Sequence, residues 1–252
     1  MRKTATPTGV LEIVAFDADD TLWHHDPLFA AAQDRFKRLL ASYHDEAEIE
    51  RRLYETEARN LEQFGYGVKG FTLSMIETAI ELTEGRITGR EVQEIIRSAR
   101  EMLNAPIHLL DGVRETIASL SNVYRLMLIT KGDLLEQEAK LTRSGLSDYF
   151  SVIEIVSHKE QKTYEAITQR HAIAPARFLM VGNSIKYDVL PVLAMGGRAV
   201  HIPYHTNWPH EAVSEEALRQ HALTELEQIS LLPAFLNTHF TPFVQGAPSF
   251  EP

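Results

Sequence analysis

The chain has no cysteine, which removes disulfides, thiolate nucleophiles and cysteine-ligated zinc from the chemistry open to it. It also lacks a basic excess: 25 Lys and Arg stand against 35 Asp and Glu, a formal net charge of −10. That balance argues against a nucleic-acid partner held by a broad basic surface. An anionic ligand stays open, because the field of one site can oppose the global sign. No apolar run approaches the length of a membrane span. The opening Met1–Pro7 is basic, without an apolar stretch of signal-peptide type. A soluble, cytoplasmic protein with no membrane partner is therefore expected. The eleven histidines, among them His24-His25 and the series His201, His205 and His210, lack compact ligand spacing, so a zinc site is not expected.

What is present is a composition able to build a core: 44% of 252 residues are hydrophobic, enough for one large domain or a core with a smaller second one. The chain is organised around Val14-Ala15-Phe16-Asp17-Ala18-Asp19-Asp20-Thr21-Leu22-Trp23. Val10 to Phe16 reads as one buried strand. Period-two alternation then aims Asp17 and Asp19 the same way at its end. Two like charges that close repel unless a cation or a shared proton offsets them. A metal-assisted reaction with one carboxylate as nucleophile and the other as acid/base uses such a pair directly.

Beyond it, Asp26-Pro27 reads as an N-cap with proline at N1, and four helices follow up to Pro106. The second stops at Gly65-Tyr66-Gly67, the third runs from Phe71 to Leu82, and Thr88 with Glu91 forms a capping box for the fourth. From Asp111 the pattern changes to alternating strands and helices. Strands are expected at Tyr124–Ile129, Ser151–Val156, Phe178–Val181 and Arg198–Ile202. Asp133 with Glu136, and Ser157 with Glu160, cap two of the intervening helices. Beyond Asn237 irregular chain is expected. The alternation predicts an α/β fold, a doubly wound parallel sheet with an inserted all-helical domain. The boundaries are 1–24 and 107–252 for the α/β core, and 25–106 for the helical insertion.

Thr130, Lys159 and Asn183 each fall at or soon after a strand end, spaced roughly as βαβ units are. Ligands of open parallel sheets bind beyond those ends, so these residues converge with Asp17. Read as chemistry, Asp17 is a nucleophile for phosphorus and Asp19 an acid/base. Thr130 offers a hydroxyl and a backbone N–H to a phosphoryl oxygen. Lys159 is a point charge between nucleophile and phosphate. Asn183 and Asp188 with Asp17 are hard oxygen donors suited to Mg²⁺. Lys162 is a rival to Lys159, which lies nearer its strand end.

In this order the motifs resemble the haloacid dehalogenase superfamily, in its phosphatase branch. Asp17-Ala18-Asp19-Asp20-Thr21 is similar to that family's Asp-x-Asp-x-Thr motif and Leu128-Ile129-Thr130-Lys131-Gly132 to its second. Lys159 is similar to the third, and Val181-Gly182-Asn183-Ser184 with Asp188 to the acidic fourth. The resemblance implies a Rossmann-like core and a C1-type helical cap that closes over the site and helps select substrate. It further implies an aspartyl-phosphate on Asp17, with Mg²⁺ held by Asp17, the Asp19 backbone carbonyl, Asn183 and Asp188. The expected partner is a small phosphorylated metabolite. Two departures stand out: Lys131 replaces the usual Asn and adds a positive charge near the phosphate, and Asn183 replaces a frequent Asp. Trp23, Tyr66 and Lys69 are further candidates for substrate contact; the other readings are core or hinge packing for Trp23 and a plain inter-helix turn for Tyr66 and Lys69. The alternatives are a phosphomutase or dehalogenase of the same superfamily, or a module that binds a phosphorylated ligand without turning it over.

Overall fold

The protein is described by a computed structural model over residues 9–205, 213 and 223–243. The readings of Met1–Pro7, of His210 and of the chain after Phe243 fall outside these residues. The chain divides into two compact units. One comprises Met1–Trp23, Leu109–Thr130 and Gly145–Pro252, the other His24–His108 and Lys131–Ser144.

The first unit is built on a five-stranded sheet of order β4-β3-β2-β5-β6, with β2 Ile13–Phe16, β3 Arg125–Lys131, β4 Val152–Val156, β5 Phe178–Gly182 and β6 Arg198–His201. β2 lies at the centre, parallel to β3 and β5, with Phe16 level with Leu128 on one side and Val181 on the other. Every β2 residue is buried, as a strand covered on both faces must be. Ile13, Ala15, Met127, Ile129, Phe178 and Met180 form one cluster with Tyr164 and Ile167 of α7 (Gln161–Arg170) and Val192 of α8 (Leu190–Ala194). Alternation sends Val14, Phe16, Leu126, Leu128, Leu179 and Val181, all buried, to the opposite face.

The single strand expected over Val10–Phe16 is two strands. The chain bends at Glu12, whose N–H donates to Arg177 O at 2.9 Å. β1 (Gly9–Leu11) pairs instead with β7 (Phe240–Pro242) in a separate parallel ribbon. β7 corrects the expectation of irregular chain beyond Asn237: the backbone groups of β1 need partners, and Phe243 N–H donates to Leu11 O at 2.8 Å. α9 (Leu232–His239) precedes it and packs on α5 (Val113–Ser121).

The second unit contains α1 (Asp26–Leu40), α2 (Glu46–Phe64), α3 (Val68–Leu82), α4 (Gly89–Asn104) and α6 (Leu134–Ser144). Its core joins Phe36 and Leu40 of α1, Ile49 and Leu53 of α2, Phe71 and Met75 of α3, and Ile95 and Ala99 of α4. The Thr88–Glu91 capping box opens α4, with both reciprocal bonds present. Two other expected caps differ. His25, not Asp26, holds the N-cap position of α1, which leaves Asp26 in the first turn, where the helix dipole favours a carboxylate. Glu160 precedes α7 with no side-chain cap bond, so Ser157 caps nothing there.

Glu136 is the instructive case. Asp133 Oδ1 accepts from Glu136 N at 3.0 Å, as a cap should. The Glu136 carboxylate turns instead to Val68 N–H at 2.9 Å, capping α3, and pairs with Lys140 at 2.9 Å. This explains why α3 starts three residues before the expected Phe71. Glycine is needed at position 67, since φ there is +116° and a Cβ would lie 2.8 Å from Glu136 Oε2. Lys140 Nζ is also 3.1 Å from His25 Nδ1, and Arg143 Nη1 donates to Ala105 O at 2.9 Å. These bonds group Lys131–Ser144 with the helices, whereas the expected boundaries leave that segment in the α/β core.

Glu57 on α2 is buried, and its Oε1 meets no hydrogen-bond partner among the described residues. Burial pushes its carboxyl up to about 7. The folded state therefore holds a proton that the unfolded chain releases near pH 4.5, so stability falls as pH rises from there to about 7 and levels off beyond, by ~3 kcal/mol at most. Glu57→Gln should raise the melting temperature by a few degrees at pH 8 and leave it unchanged at pH 4, a difference readable by thermal denaturation at the two pH values.

Candidate active site

The C-terminal ends of β2, β3 and β5 define the site. Asp17 follows Phe16 directly, and its N–H donates to Val181 O at 2.9 Å. The chain then leaves the sheet in a tight turn: Leu22 N–H returns to Ala18 O at 2.8 Å and Asp20 N–H to Trp23 O at 2.8 Å. The turn needs Asp20 at φ +59°, a left-handed conformation that Asp tolerates better than most residues. Within it, Trp23 Nε1 donates to Asp19 Oδ1 at 2.7 Å.

Lys159, buried ahead of α7, donates from Nζ to Asp17 Oδ1 and to Asp188 Oδ1, the latter at 2.7 Å. Asp188 sits in a π-helical turn, Ile185–Val189, and its Oδ2 accepts from Ser184 N at 3.0 Å. Thr21 Oγ1 accepts from Asn183 N at 3.0 Å. Its single proton has two acceptors in reach, Asp17 Oδ2 at 2.9 Å and Asn183 Oδ1 at 3.2 Å. Burial raises the Asp17 carboxyl, Lys159 opposes it and the Asp188 charge adds to it, for a net rise to about 6. Burial works against the Lys159 ammonium, but Asp17 and Asp188 outweigh it and hold Lys159 above its ordinary value.

Of the residues singled out in the sequence, the fold brings Asp17, Lys159, Asn183 and Asp188 into one bonded set. Thr130 is buried two residues beyond the Phe16–Leu128 pairing, on the strand next to Asp17. Lys162 is exposed on α7. Trp23 is 1% exposed, so of its two readings the ring takes that of core packing rather than substrate contact, and its indole N–H serves Asp19. In the helical unit, Lys131 Nζ lies 3.8 Å from the Tyr66 ring centroid, a cation–π contact between two residues nominated separately. Lys69 pairs with Asp133 at 2.8 Å, which commits its charge to holding α3 and α6 together.

Three participants were not nominated from the sequence. Thr21 ties Asp17 to Asn183, and its place in the Asp-x-Asp-x-Thr motif was the available signal. Ser184 caps the turn that carries Asp188, its Oγ accepting from Tyr187 N at 3.3 Å. His201, at the end of β6, contacts Asn183 O through Nε2 at 3.0 Å and Glu225 Oε2 through Nδ1 at 2.8 Å. A carbonyl only accepts, so Nε2 carries a proton.

Among the described residues no group of three His, Cys, Asp or Glu side chains is placed to hold a metal ion, and no helix is long and apolar enough to cross a membrane. The profile of the haloacid dehalogenase-like hydrolases matches residues 11–196. No curated protein matches the sequence. Among solved structures, a haloacid dehalogenase-like family hydrolase from Xanthomonas campestris is 40% identical, covering 92% of this chain and 95% of that one with a TM-score of 0.80. A predicted phosphoglycolate phosphatase from Haemophilus somnus shares the fold at 17% identity, 89% and 97% coverage and a TM-score of 0.61. So does a 2-haloacid dehalogenase from Pseudomonas syringae, at 20% identity, 90% and 99% coverage and a TM-score of 0.60. With the family profile spanning most of the chain and a relative of that identity aligned along nearly all of it, the protein belongs to the haloacid dehalogenase-like hydrolases.

Proposed function

We propose that this hydrolase is a Mg²⁺-dependent phosphatase acting on a small phosphorylated metabolite. The observation that carries the reading is the second carboxylate, Asp19, two residues after Asp17 and fixed by the Trp23 indole at 2.7 Å. A phosphate ester leaves as an alkoxide that needs a proton, whereas a departing halide needs none. In this reading Asp17 attacks phosphorus and forms an aspartyl-phosphate, while Asp19 protonates the leaving oxygen. Asp19 then takes a proton from the water that hydrolyses the intermediate. Lys159 holds the nucleophile and offsets charge on the phosphoryl group, and Thr130 supplies a hydroxyl and a backbone N–H to its oxygens.

The donor chemistry suits Mg²⁺. Two buried carboxylates, Asp17 and Asp188, share one ammonium, so positive charge is in deficit where Asp17 is raised to about 6. Asp17, Asp188, the Asn183 amide oxygen and the Asp19 carbonyl are hard donors that would hold the ion. Mg²⁺ would supply charge stabilisation to the transferring phosphoryl group. We assign part of substrate choice to Lys131, which follows Thr130 directly in the chain.

A panel of phosphorylated metabolites assayed with Mg²⁺ and with EDTA tests this. Inorganic phosphate should appear with Mg²⁺ and vanish with EDTA. Halide released from 2-haloacids, or an isomer of the starting phosphate, would replace the reading with a dehalogenase or a mutase. Absence of turnover across the whole panel would favour a binding module.

A further inference from the structure

Trp23 is one of two tryptophans in the chain, and it is the largest fully buried side chain in the described residues. A buried indole needs an acceptor for its N–H. Three backbone carbonyls of this turn already accept from the main chain: Ala18 O from Leu22, Leu22 O from Leu110, and Trp23 O from Asp20. The indole N–H goes to a carboxylate instead, Asp19 Oδ1, at 2.7 Å, in the range of a charge-assisted bond.

The backbone of Trp23 is fixed as firmly as its ring. It bridges Asp19 on one side and Leu109 on the other. Leu110 N–H donates to Leu22 O at 3.0 Å, and His24 N–H to His108 O at 3.0 Å. Trp23 therefore stands on the short two-stranded ladder by which the chain leaves the α/β unit and returns to it. Asp19, by contrast, lies in an irregular turn and is only half-buried. Its backbone sits beside the left-handed Asp20, and its side chain needs an external group to fix χ1 and χ2.

Resting on the phosphatase reading above, we propose that Trp23 is the positioning residue for the acid/base: its indole N–H holds Asp19 Oδ1 and so presents the opposite oxygen, Oδ2, to the leaving group. In the step concerned, the Asp17–phosphorus bond forms as the phosphorus–oxygen bond to the leaving group breaks, and the Asp19 Oδ2 proton passes to that oxygen. Asp19 is left as a carboxylate, the form that the indole N–H stabilises. The ladder gives the device a second consequence. Any change in the pairing of Leu22–His24 with His108–Leu110 moves the group that orients Asp19.

The role predicts dependence on the leaving group rather than a uniform loss. An aryl phosphate with a good leaving group, such as p-nitrophenyl phosphate, departs with little protonation; an alkyl phosphate does not. Trp23→Phe keeps most of the ring and removes the N–H. It should lower kcat/KM for an alkyl phosphate by ~10-fold or more and change that for p-nitrophenyl phosphate by less than ~3-fold. If Phe leaves a cavity that unfolds the protein, β-(3-benzothienyl)alanine at position 23 replaces N–H by sulfur at nearly the same volume and serves the same comparison. Its kinetics should match those expected for Trp23→Phe. In the wild-type protein, the indole N–H resonance of Trp23 should lie downfield and shift on Asp19→Asn. Equal losses on both esters, or no loss on either, would show that Trp23 is only core and overturn the proposal. A wild-type protein inactive on every phosphate ester overturns the phosphatase reading itself, and this inference with it.

Discussion

Asp17→Asn should abolish turnover of phosphate esters, by ~10⁴-fold or more, while the melting temperature stays within a few degrees of the parent. An amide oxygen is too weak a nucleophile to form the acyl phosphate, and no other carboxylate replaces it: Asp188 is turned into bonds with Lys159 and Ser184. The fold survives for a charge reason. Removing one partner of a buried pair is usually severe because it strands the other charge. Here Lys159 keeps Asp188 at 2.7 Å, and the variant loses the repulsion between Asp17 and Asp188 that helps raise Asp17. The substituted amide also keeps an acceptor for the Thr21 hydroxyl. Phosphate release and thermal denaturation on the same preparation check both halves. Near-normal hydrolysis would overturn the covalent mechanism, and gross unfolding would overturn the account of how the buried charges balance.

The parts of this molecule that the sequence made legible are those with local causes. A buried parallel strand reads as an apolar run, so β3, β5 and β6 fell near their expected places, and Thr88 with Glu91 wrote its own cap. Asp17, Lys159 and Asn183 were legible because each stands at or soon after a strand end, where a parallel sheet gathers its ligands, and Asp188 because a further hard oxygen donor follows Asn183 in the fourth motif. What was not legible depended on distant partners. Nothing in Val10–Phe16 marks Glu12 as a bend, because the bend is fixed by Arg177 O and by β7, which lies at the far end of the described chain. Glu136 has the spacing of a capping-box acid yet caps α3, since the Val68 N–H it reaches comes from another part of the sequence. The position of Trp23 just after the Asp17 motif suits substrate contact and core packing equally. Its actual direction is set by a turn that folds back through a left-handed Asp20, which apolar periodicity does not encode.

Gly182→Ala should be nearly as damaging as loss of the nucleophile, although the glycine carries no chemistry. Its backbone is not left-handed, so conformational freedom is not the reason for glycine here. Space is. A Cβ at position 182 would overlap the Asp188 carboxylate and stand 2.7 Å from the Asp188 Cβ, closer than packed carbon atoms approach. The carboxylate cannot yield cheaply, because Lys159 holds one oxygen and Ser184 N–H the other, and the π-helical turn behind it is capped by Ser184. Asp188 must therefore move, and Lys159, which bridges it to Asp17, loses a fixed reference. A displacement of about 1 Å at such a site costs ~10²-fold in rate, and overpacking of this kind ~1–3 kcal/mol in stability. Gly182→Ala should accordingly lower kcat by ~10²-fold or more and weaken the Mg²⁺ dependence of both activity and melting temperature. Gly89→Ala is the matched control, since a Cβ there meets nothing within 4 Å, and it should leave all three quantities unchanged. Full activity in Gly182→Ala would mean that Asp188 need not be held where it lies, and the four-residue set around Asp17 would shrink to Asp17, Lys159 and Asn183.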